Sequence, residues 1–407
     1  MRVVIEKPYQ FVPPHRGNWW PSCIQTFRLI DLHLRFKEGI TRYELRGHQH
    51  LKDSLAAGHG ILLTPNHCRY ADPIAMGWPA RHCNTHVFAI ASWHLFCHSK
   101  FQSYAIQKMG GFSLWREGVD RKSLETAIDI LAGAARPLIV FPEGTSNMTN
   151  DVLQPLMEGT TFIARSAARR RKKTSDGTVV MHPVAIKYLF TGDIQAWATP
   201  KLRALESHLD INPATDNSLP KRSMDIFAAA MQQIATAAGT TLETGGWVQQ
   251  RDALIDFELR QIESKYDIAA EANIDSTQTI PRVRTLRTKI SPTLIDPQTP
   301  ADRRSALRDD LLRVDQCQWM RSFPESYAPP HPVTDTQLIE TIQRLQQFYF
   351  DKPDSPSPLT AIIEIDSAIP VPATKAPKAE ADPLLLQLEE RMGTMLNALA
   401  KEANVLT

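Results

Sequence analysis

The sequence predicts an α/β fold, a central mixed sheet flanked by helices, with an added helical region. Three observations lead there. Between about residues 40 and 190, short apolar runs alternate with helical patterns, the signature of strands and helices layered on one another. Gly60-Ile61-Leu62-Leu63-Thr64 is a short apolar run cut off by Pro65-Asn66, as a buried strand entering a turn would be. From 191 to 350 the strand-like runs give way to helical patterns separated by polar, Pro-bearing links.

Taken in order, residues 1–20 read as extended, with Pro13-Pro14 and then Trp19-Trp20. Residues 22–37 predict a helix, because Ile24, Phe27, Ile30 and Leu34 recur at helical spacing. Leu29, Leu32 and Phe36 widen its apolar surface, while Arg28, Asp31, Arg35 and Lys37 interrupt it. Two readings stay open for it: a helix packed on the core, or one lying at a membrane interface with Trp19 and Trp20 at headgroup level. Strands are expected at 60–64, 84–91, 111–115, 137–141 and 178–186. Helices are expected at 72–80, 93–108, 121–134 and 158–172. The third of these has a start signal, Asp120-Arg121-Lys122-Ser123 ahead of Leu124, Ala127, Ile128 and Leu131. Further helical patterns cover 224–238, 247–266, 300–323 and 334–349. Residues 351–383 are Pro-rich but hold a strand-like run at 359–365. A last helix is expected at 384–399, with Leu385, Leu388, Met392, Met395 and Leu399 on one face.

A chain of 407 residues can bury a sizeable core and hold two or three domains. Hydrophobic residues at 43% and charged residues at 22% place it among ordinary globular proteins. The five cysteines, Cys23, Cys68, Cys83, Cys97 and Cys317, are irregularly spaced and lack a Cys-x-x-Cys pair. That argues against a disulfide framework and a structural zinc site, and for a reducing compartment. No metal site is expected. The first residues lack the long apolar core of a secretory signal. No stretch approaches the roughly 18 uninterrupted apolar residues of a spanning helix, so a lipid substrate would be met from the membrane surface. The run Arg165, Arg169, Arg170, Arg171, Lys172 and Lys173 is the densest basic cluster. It reads as a solvated helix end, with an anionic membrane surface or coenzyme A phosphates as alternatives. No aromatic residues interleave with it, which argues against nucleic acid.

Chemistry gathers at four segments in the first half. They are Asn66-His67-Cys68-Arg69-Tyr70-Ala71-Asp72, Gly111-Phe112-Ser113-Leu114-Trp115-Arg116, Phe141-Pro142-Glu143-Gly144-Thr145-Ser146 and His182-Pro183-Val184-Ala185-Ile186. A His followed five residues later by an Asp arises about once by chance in a chain with this many histidines. His48 and Asp53 show the same spacing, in a polar stretch that reads as solvated surface. His67 differs in lying at the carboxyl end of a predicted strand, where α/β sheets place their ligands. A neutral histidine can take a proton near neutral pH, and a carboxylate can fix its tautomer. His67 and Asp72 are therefore the catalytic candidates. Cys68 follows His67 directly, so its side chain is expected to point away and not to act as a nucleophile. Arg116 ends a strand with a group suited to phosphate. Gly144 permits a tight turn, from which Glu143 and Thr145 would face the same mouth. His182 reads as structural.

This ordered set resembles the glycerolipid (lysophospholipid) acyltransferase family. The resemblance covers roughly 40–190 and the strand and helix within 359–402. It implies transfer of a fatty acyl group from acyl-CoA or acyl carrier protein to the hydroxyl of a lysophospholipid or related glycerolipid. Attack by the acceptor hydroxyl is direct, with no cofactor. The substrate-binding set it implies is Asn66, Gly111, Arg116, Phe141, Pro142, Glu143, Gly144 and Thr145. The domain plan that follows is an amino-terminal segment at 1–38, a catalytic α/β domain at 39–190, a helical insert or subdomain at 191–350, and 351–407 closing the catalytic domain with a strand and a helix. The resemblance also implies a membrane lipid acceptor and an enzyme on the cytoplasmic, inner face of a membrane. One position departs from the pattern. Many members directed at lysophosphatidate have an arginine after the threonine, and Ser146 stands there. A larger or less charged acceptor fits that change, including a non-phosphate lysolipid such as lyso-ornithine lipid. A catalytically silent lipid-binding or scaffold protein of this fold is the rival from another class.

Overall fold

The computed structural model describes residues 6–175, 177–212, 218–268, 278–376 and 381–406. Its centre is a mixed sheet. In chain order the strands are β1 (Ile40–Arg46), β2 (Gly60–Pro65), β3 (Phe88–Ser92), β4 (Gly111–Leu114), β5 (Leu138–Ile139), β6 (Val179–Phe190), β7 (Leu359–Ile365) and β8 (Ile369–Pro370). Across the sheet they run β1-β7-β6-β2-β5-β3-β4, with β8 beside the start of β6. From β6 to β4 the neighbours are parallel, which brings their carboxyl ends to one edge. β7 turns the direction over: it is antiparallel to β6 and parallel to β1.

Strand β2 shows why these residues sit centrally. Ile61 and Leu63 pack in the cluster on one face of the sheet, and Leu62 packs in the cluster on the other. A strand buried on both faces is apolar nearly throughout, and Thr64, the polar exception in β2, donates its hydroxyl to His182 O at 2.9 Å. One face is covered by the helices Arg121–Gly133, Glu158–Thr174 and Pro383–Ala400, through Ile128, Leu131, Ala164, Ala167, Leu388 and Met392. The other is covered by Leu29–Lys37, His48–Ala56 and the short helices Asp72–Ala75 and Gly77–His82, through Leu34, Leu51, Ala75 and Trp78.

Several elements differ from the sequence expectation. The single helix expected at 22–37 is two, Trp19–Thr26 and Leu29–Lys37, broken where Arg28 takes a left-handed conformation at φ 51°. The helices expected at 72–80 and 93–108 are each split as well. Strand β1 was not expected, because Arg42, Glu44 and Arg46 disguise an exposed edge strand. Helices Ile194–His208 and Thr279–Ile295 were also unexpected, and both carry an internal proline, Pro200 and Pro292. The extended amino-terminal stretch lies along β4, where Val12 N–H donates to Ser113 Oγ at 2.8 Å and Ser113 N–H donates to Val12 O at 3.0 Å.

The arginines of the basic run are engaged by the protein itself, while Lys172 and Lys173 stay exposed. Arg165 forms a buried pair with Asp382. Arg170 pairs with Glu125 and Asp129, and Arg171 donates to the carbonyls of Ala132 and Gly58. It sits at the amino-terminal ends of the parallel strands, the end of the sheet opposite the motif segments.

The helical region has its own core, built from Leu202, Phe227, Leu259, Leu286, Val314 and their neighbours. The helix Asp335–Phe350 joins the two halves. Leu338, Ile342 and Leu345 face the helical core, while Ile339 faces the sheet. With neighbours on both sides, every residue from Asp335 to Gln346 is buried, polar ones included. Glu340 is the extreme case. Burial raises its carboxyl from the ordinary 4.5 to about 7, with Asp151 adding to the rise and Arg69, Lys187 and Arg344 opposing it.

A stability prediction follows from that burial. A carboxyl whose value is higher in the folded state binds its proton more tightly there, so its contribution is most favourable at low pH. That contribution is lost as pH rises from about 4.5 through about 7. Glu340→Gln removes the titration. The stability of the native protein relative to this variant should therefore fall by on the order of 3 kcal/mol between pH 4 and pH 8. Denaturant melts of both proteins across this range measure the difference, and parallel pH profiles would refute it.

Candidate active site

The parallel strands deliver the motif segments to one edge. His67 follows β2, His94 follows β3, Arg116 follows β4, and Phe141–Thr145 follow β5. This is the edge at which open α/β sheets bind ligands.

Asn66 sets the turn after β2. Its side-chain oxygen accepts from Ile186 N–H at 2.7 Å and its amide donates to Ile186 O at 3.0 Å. The side chain thus continues the ladder to β6 where the backbone leaves it. The resemblance made Asn66 a substrate contact; the structure commits its amide to the protein.

His67 comes next. Its Nδ1 lies 2.9 Å from Asp72 Oδ2, and its ring stacks on Phe141 with centroids 4.2 Å apart. Because a carboxylate accepts, Nδ1 carries the proton and Nε2 presents a lone pair. Nε2 makes no hydrogen bond to the described residues, and the side chain keeps 16% of its surface exposed. Asp72 is fully buried at the start of its helix. Besides His67 it accepts from Arg69 N–H at 2.8 Å and from Tyr188 O–H at 2.7 Å. Cys68 packs behind the pair, 3.8 Å from both Asp72 and Ile186 O. Burial pushes its thiol well above the ordinary value, so it is held as a thiol, away from thiolate chemistry.

Glu143 departs from the expectation that it faces the mouth. One oxygen accepts from His67 N–H at 2.6 Å. The other accepts from Asn147 Nδ2 at 2.7 Å and Gln154 N–H at 2.9 Å. Burial raises its carboxyl to about 7 against the pull of these donors. It is a bracket beneath His67. Gly144 turns the chain at φ +73°, and a Cβ there would meet Met157 Sδ at 2.2 Å. Both conditions require glycine. Pro142 is buried, with its carbonyl accepting from Met157 N–H, and Thr145 is half-buried beside the turn.

Arg116 reaches the same turn, donating from Nη1 to Gly144 O at 2.8 Å, while its Nε is buried without a protein partner. Burial lowers its value, opposed by Glu117 and reinforced by Arg287 from the helical region. His94, beside Arg116 and Arg287, is driven down to about 3 by burial and these charges, so it is a neutral ring. Gly111 lies buried in β4 against Ile106, a packing position away from the mouth.

His182 is structural, with Nε2 2.9 Å from Ser54 Oγ and Nδ1 2.7 Å from Asp366 O. His48, read as solvated, is half-buried at the head of a helix, with its ring against His82. Asp53 hydrogen-bonds Gln49 instead of it, so that spacing match is not a pair. Sequence reading missed Tyr188, Asn147 and Arg287. Tyr188 lies two residues past the fourth segment, the one local signal available. Arg287 is some 170 residues from Arg116 in the chain, and nothing local marks it.

The site therefore holds an oriented imidazole, a buried carboxylate behind it, and a guanidinium with an unused buried donor across a glycine turn. Residues 44–187 match the family model described as Acyltransferase. No curated protein matches the chain. The match runs from within β1 to within β6 and takes in all four segments. That family model, of the glycerolipid/lysophospholipid acyltransferases, spans residues 44–187 of this chain.

Proposed function

We propose that this acyltransferase moves a fatty acyl group from acyl-CoA or acyl carrier protein to the free hydroxyl of a lysophospholipid or related glycerolipid. The observation that carries the proposal is the His67–Asp72 pair, with Nδ1 committed to a buried carboxylate and Nε2 left free. The acceptor hydroxyl gives its proton to Nε2 as its oxygen attacks the thioester carbonyl carbon. The C–S bond then breaks, and the imidazolium returns the proton to the departing thiolate. Asp72 stabilises the imidazolium between these steps without taking the proton. Arg116 binds the acceptor phosphate through the donors that Gly144 leaves unused. A second reading, a non-phosphate lysolipid acceptor, draws on Ser146, whose buried hydroxyl replaces a cation beside the turn.

The protein meets its acceptor at a membrane surface, on the cytoplasmic side. Among the described residues no helix is long and apolar enough to cross a membrane. The two amino-terminal helices instead expose Trp19 (67%), Phe27 (67%) and Phe36 (74%), together with Leu29 and Leu32. Exposed Arg28, Arg35 and Lys37 accompany them. An apolar patch with basic neighbours suits an anionic bilayer. The second helix packs on the helix Asp72–Ala75, which begins with the catalytic carboxylate, and this contact supports the reading.

His67→Ala should lower acyl transfer by roughly 10²–10⁴-fold with the fold retained. The assay is a panel of lysolipids with products identified by mass. A folded variant near native rate would sink the mechanism, and a native protein silent across the panel would favour the scaffold rival.

Arg116→Lys should raise the KM for a phosphate-bearing acceptor and leave the thioester KM unchanged, because an ammonium cannot reproduce the fork. Equal effects on both substrates would make Arg116 structural.

Replacing Trp19, Phe27 and Phe36 together with Ser should weaken liposome binding by roughly tenfold or more, since each buried large apolar side chain contributes about 1.5–3 kcal/mol. Transfer to a short-chain soluble acceptor should persist. These side chains are exposed, so the substitution leaves the core intact. Unchanged sedimentation with anionic liposomes would count against this surface.

A further inference from the structure

We propose that Glu340, on the helix Asp335–Phe350, is a positioning residue for the catalytic pair, and that the helical region thereby completes the active site. The proposal rests on the acyl-transfer reading of His67 and Asp72.

Buried hydrogen bonds connect Glu340 to the catalytic pair. Asp72 Oδ1 is held by the Tyr188 hydroxyl at 2.7 Å. Tyr188 sits on β6, and its backbone N–H donates to Asn150 Oδ1 at 3.0 Å. Asn150 is fully buried, and both its nitrogens donate to Glu340: its N–H at 3.0 and 3.1 Å, and its Nδ2 in a short contact. A second route leads back to His67. Asn147 N–H donates to His67 O at 3.1 Å, and Asn147 Oδ1 accepts from Thr149 N–H at 2.9 Å. The loop 147–151 thus spans the space between the catalytic histidine and the helix Asp335–Phe350.

That helix holds the loop at successive points. Arg344 Nη1 donates to Met148 O at 2.7 Å, Glu340 binds Asn150, and Gln337 Nε2 donates to Asp151 Oδ2 at 2.9 Å. Asp151 also pairs with the fully buried Lys187 of β6. Glu340 is the acceptor in this set, and Asp151, Arg69, Lys187 and Arg344 are the charged groups that face it. It makes no contact with His67 or Asp72, so it acts through Asn150 and Tyr188. Without it, two buried donors on Asn150 lose their acceptor, and such groups do not stay unpaired in a fixed geometry. The loop would move, Tyr188 N–H would lose its partner, and the phenol would cease to hold Asp72 in line.

The test compares Glu340→Ala with Glu340→Gln, whose amide oxygen can still accept both Asn150 donors. Two readouts are taken on folded protein. The first is the low-field proton resonance of His67 Nδ1–H, which needs no substrate and reports the bond to Asp72. The second is the kcat and KM of transfer. In Glu340→Ala the resonance should broaden or vanish, and kcat should fall on the order of 10²-fold, the size of effect a displacement near 1 Å produces. Both KM values should be little changed. Glu340→Gln should restore the resonance and much of the kcat. If Glu340→Ala does not fold, Asn150→Ala takes its place, with the same losses expected while Glu340 is intact. A folded Glu340→Ala or Asn150→Ala with the native resonance and native kcat overturns the proposal. Loss of kcat with an intact resonance overturns it too. If the resonance behaves as expected but His67→Ala still transfers, the failure lies in the acyl-transfer reading and not in the positioning.

Discussion

The structure of the site depends on one buried carboxylate. Asp72 has no exposed surface, and a charge removed from water must be met by hydrogen bonds or abandoned. Among the described residues three N–H and O–H donors meet it, from different places: the imidazole of His67, the backbone of Arg69 and the hydroxyl of Tyr188, with the weaker Cys68 thiol beside them. Satisfying Asp72 therefore fixes the turn after β2, the start of the next helix and the carboxyl-terminal part of β6 relative to one another. The same bonds that make the buried charge tolerable set the tautomer of His67. Stability and chemistry have a common source here.

A second carboxylate brackets the histidine from below. Glu143 takes the His67 backbone N–H on one oxygen and the far end of its own loop, at Asn147 and Gln154, on the other. The Phe-Pro-Glu-Gly-Thr segment thus works mainly by holding shape. The guanidinium of Arg116 enters from β4 and anchors on Gly144 O, so the group available to an anion is tied to the same turn. The ends of β2, β4 and β5 are thus linked through the side chains of Glu143 and Arg116.

Beyond this edge the interior is unusually polar. The helix Asp335–Phe350 lies between two hydrophobic cores and has no solvent face through most of its length. Polar residues survive there because partners exist for them: Glu340 for Asn150, Gln337 for Asp151, Arg344 for Met148 O. Each bond contributes little net stability, but leaving one unmade is costly, so the arrangement is specific. The helical region and the sheet are joined by this fit as much as by apolar packing. A cluster of apolar side chains left to solvent lies elsewhere, on the two amino-terminal helices, with others such as Phe101 and Val119 exposed outside it.

Much of this was legible in the chain. The alternation between about 40 and 190 predicted strands and the helices that cover them, because burial on both faces demands apolar runs of strand length. The setting of His67 after such a run separated it from His48, whose spacing to Asp53 is the same and whose geometry is not. Edge strand β1 was hidden by its charges, and two helices by their prolines, since local pattern cannot see what neighbours supply. Nothing local could show that Asn66 and Glu143 spend their polar atoms on the backbone, because their partners arrive from β6 and from a loop. Arg287 and Glu340 lie further still from the segments they approach. The sequence by itself determined which residues are apolar at strand and helix spacing, and where a histidine and a carboxylate fall within reach of each other. Only the tertiary structure decided which buried polar atoms find partners, because that depends on groups brought together across the chain.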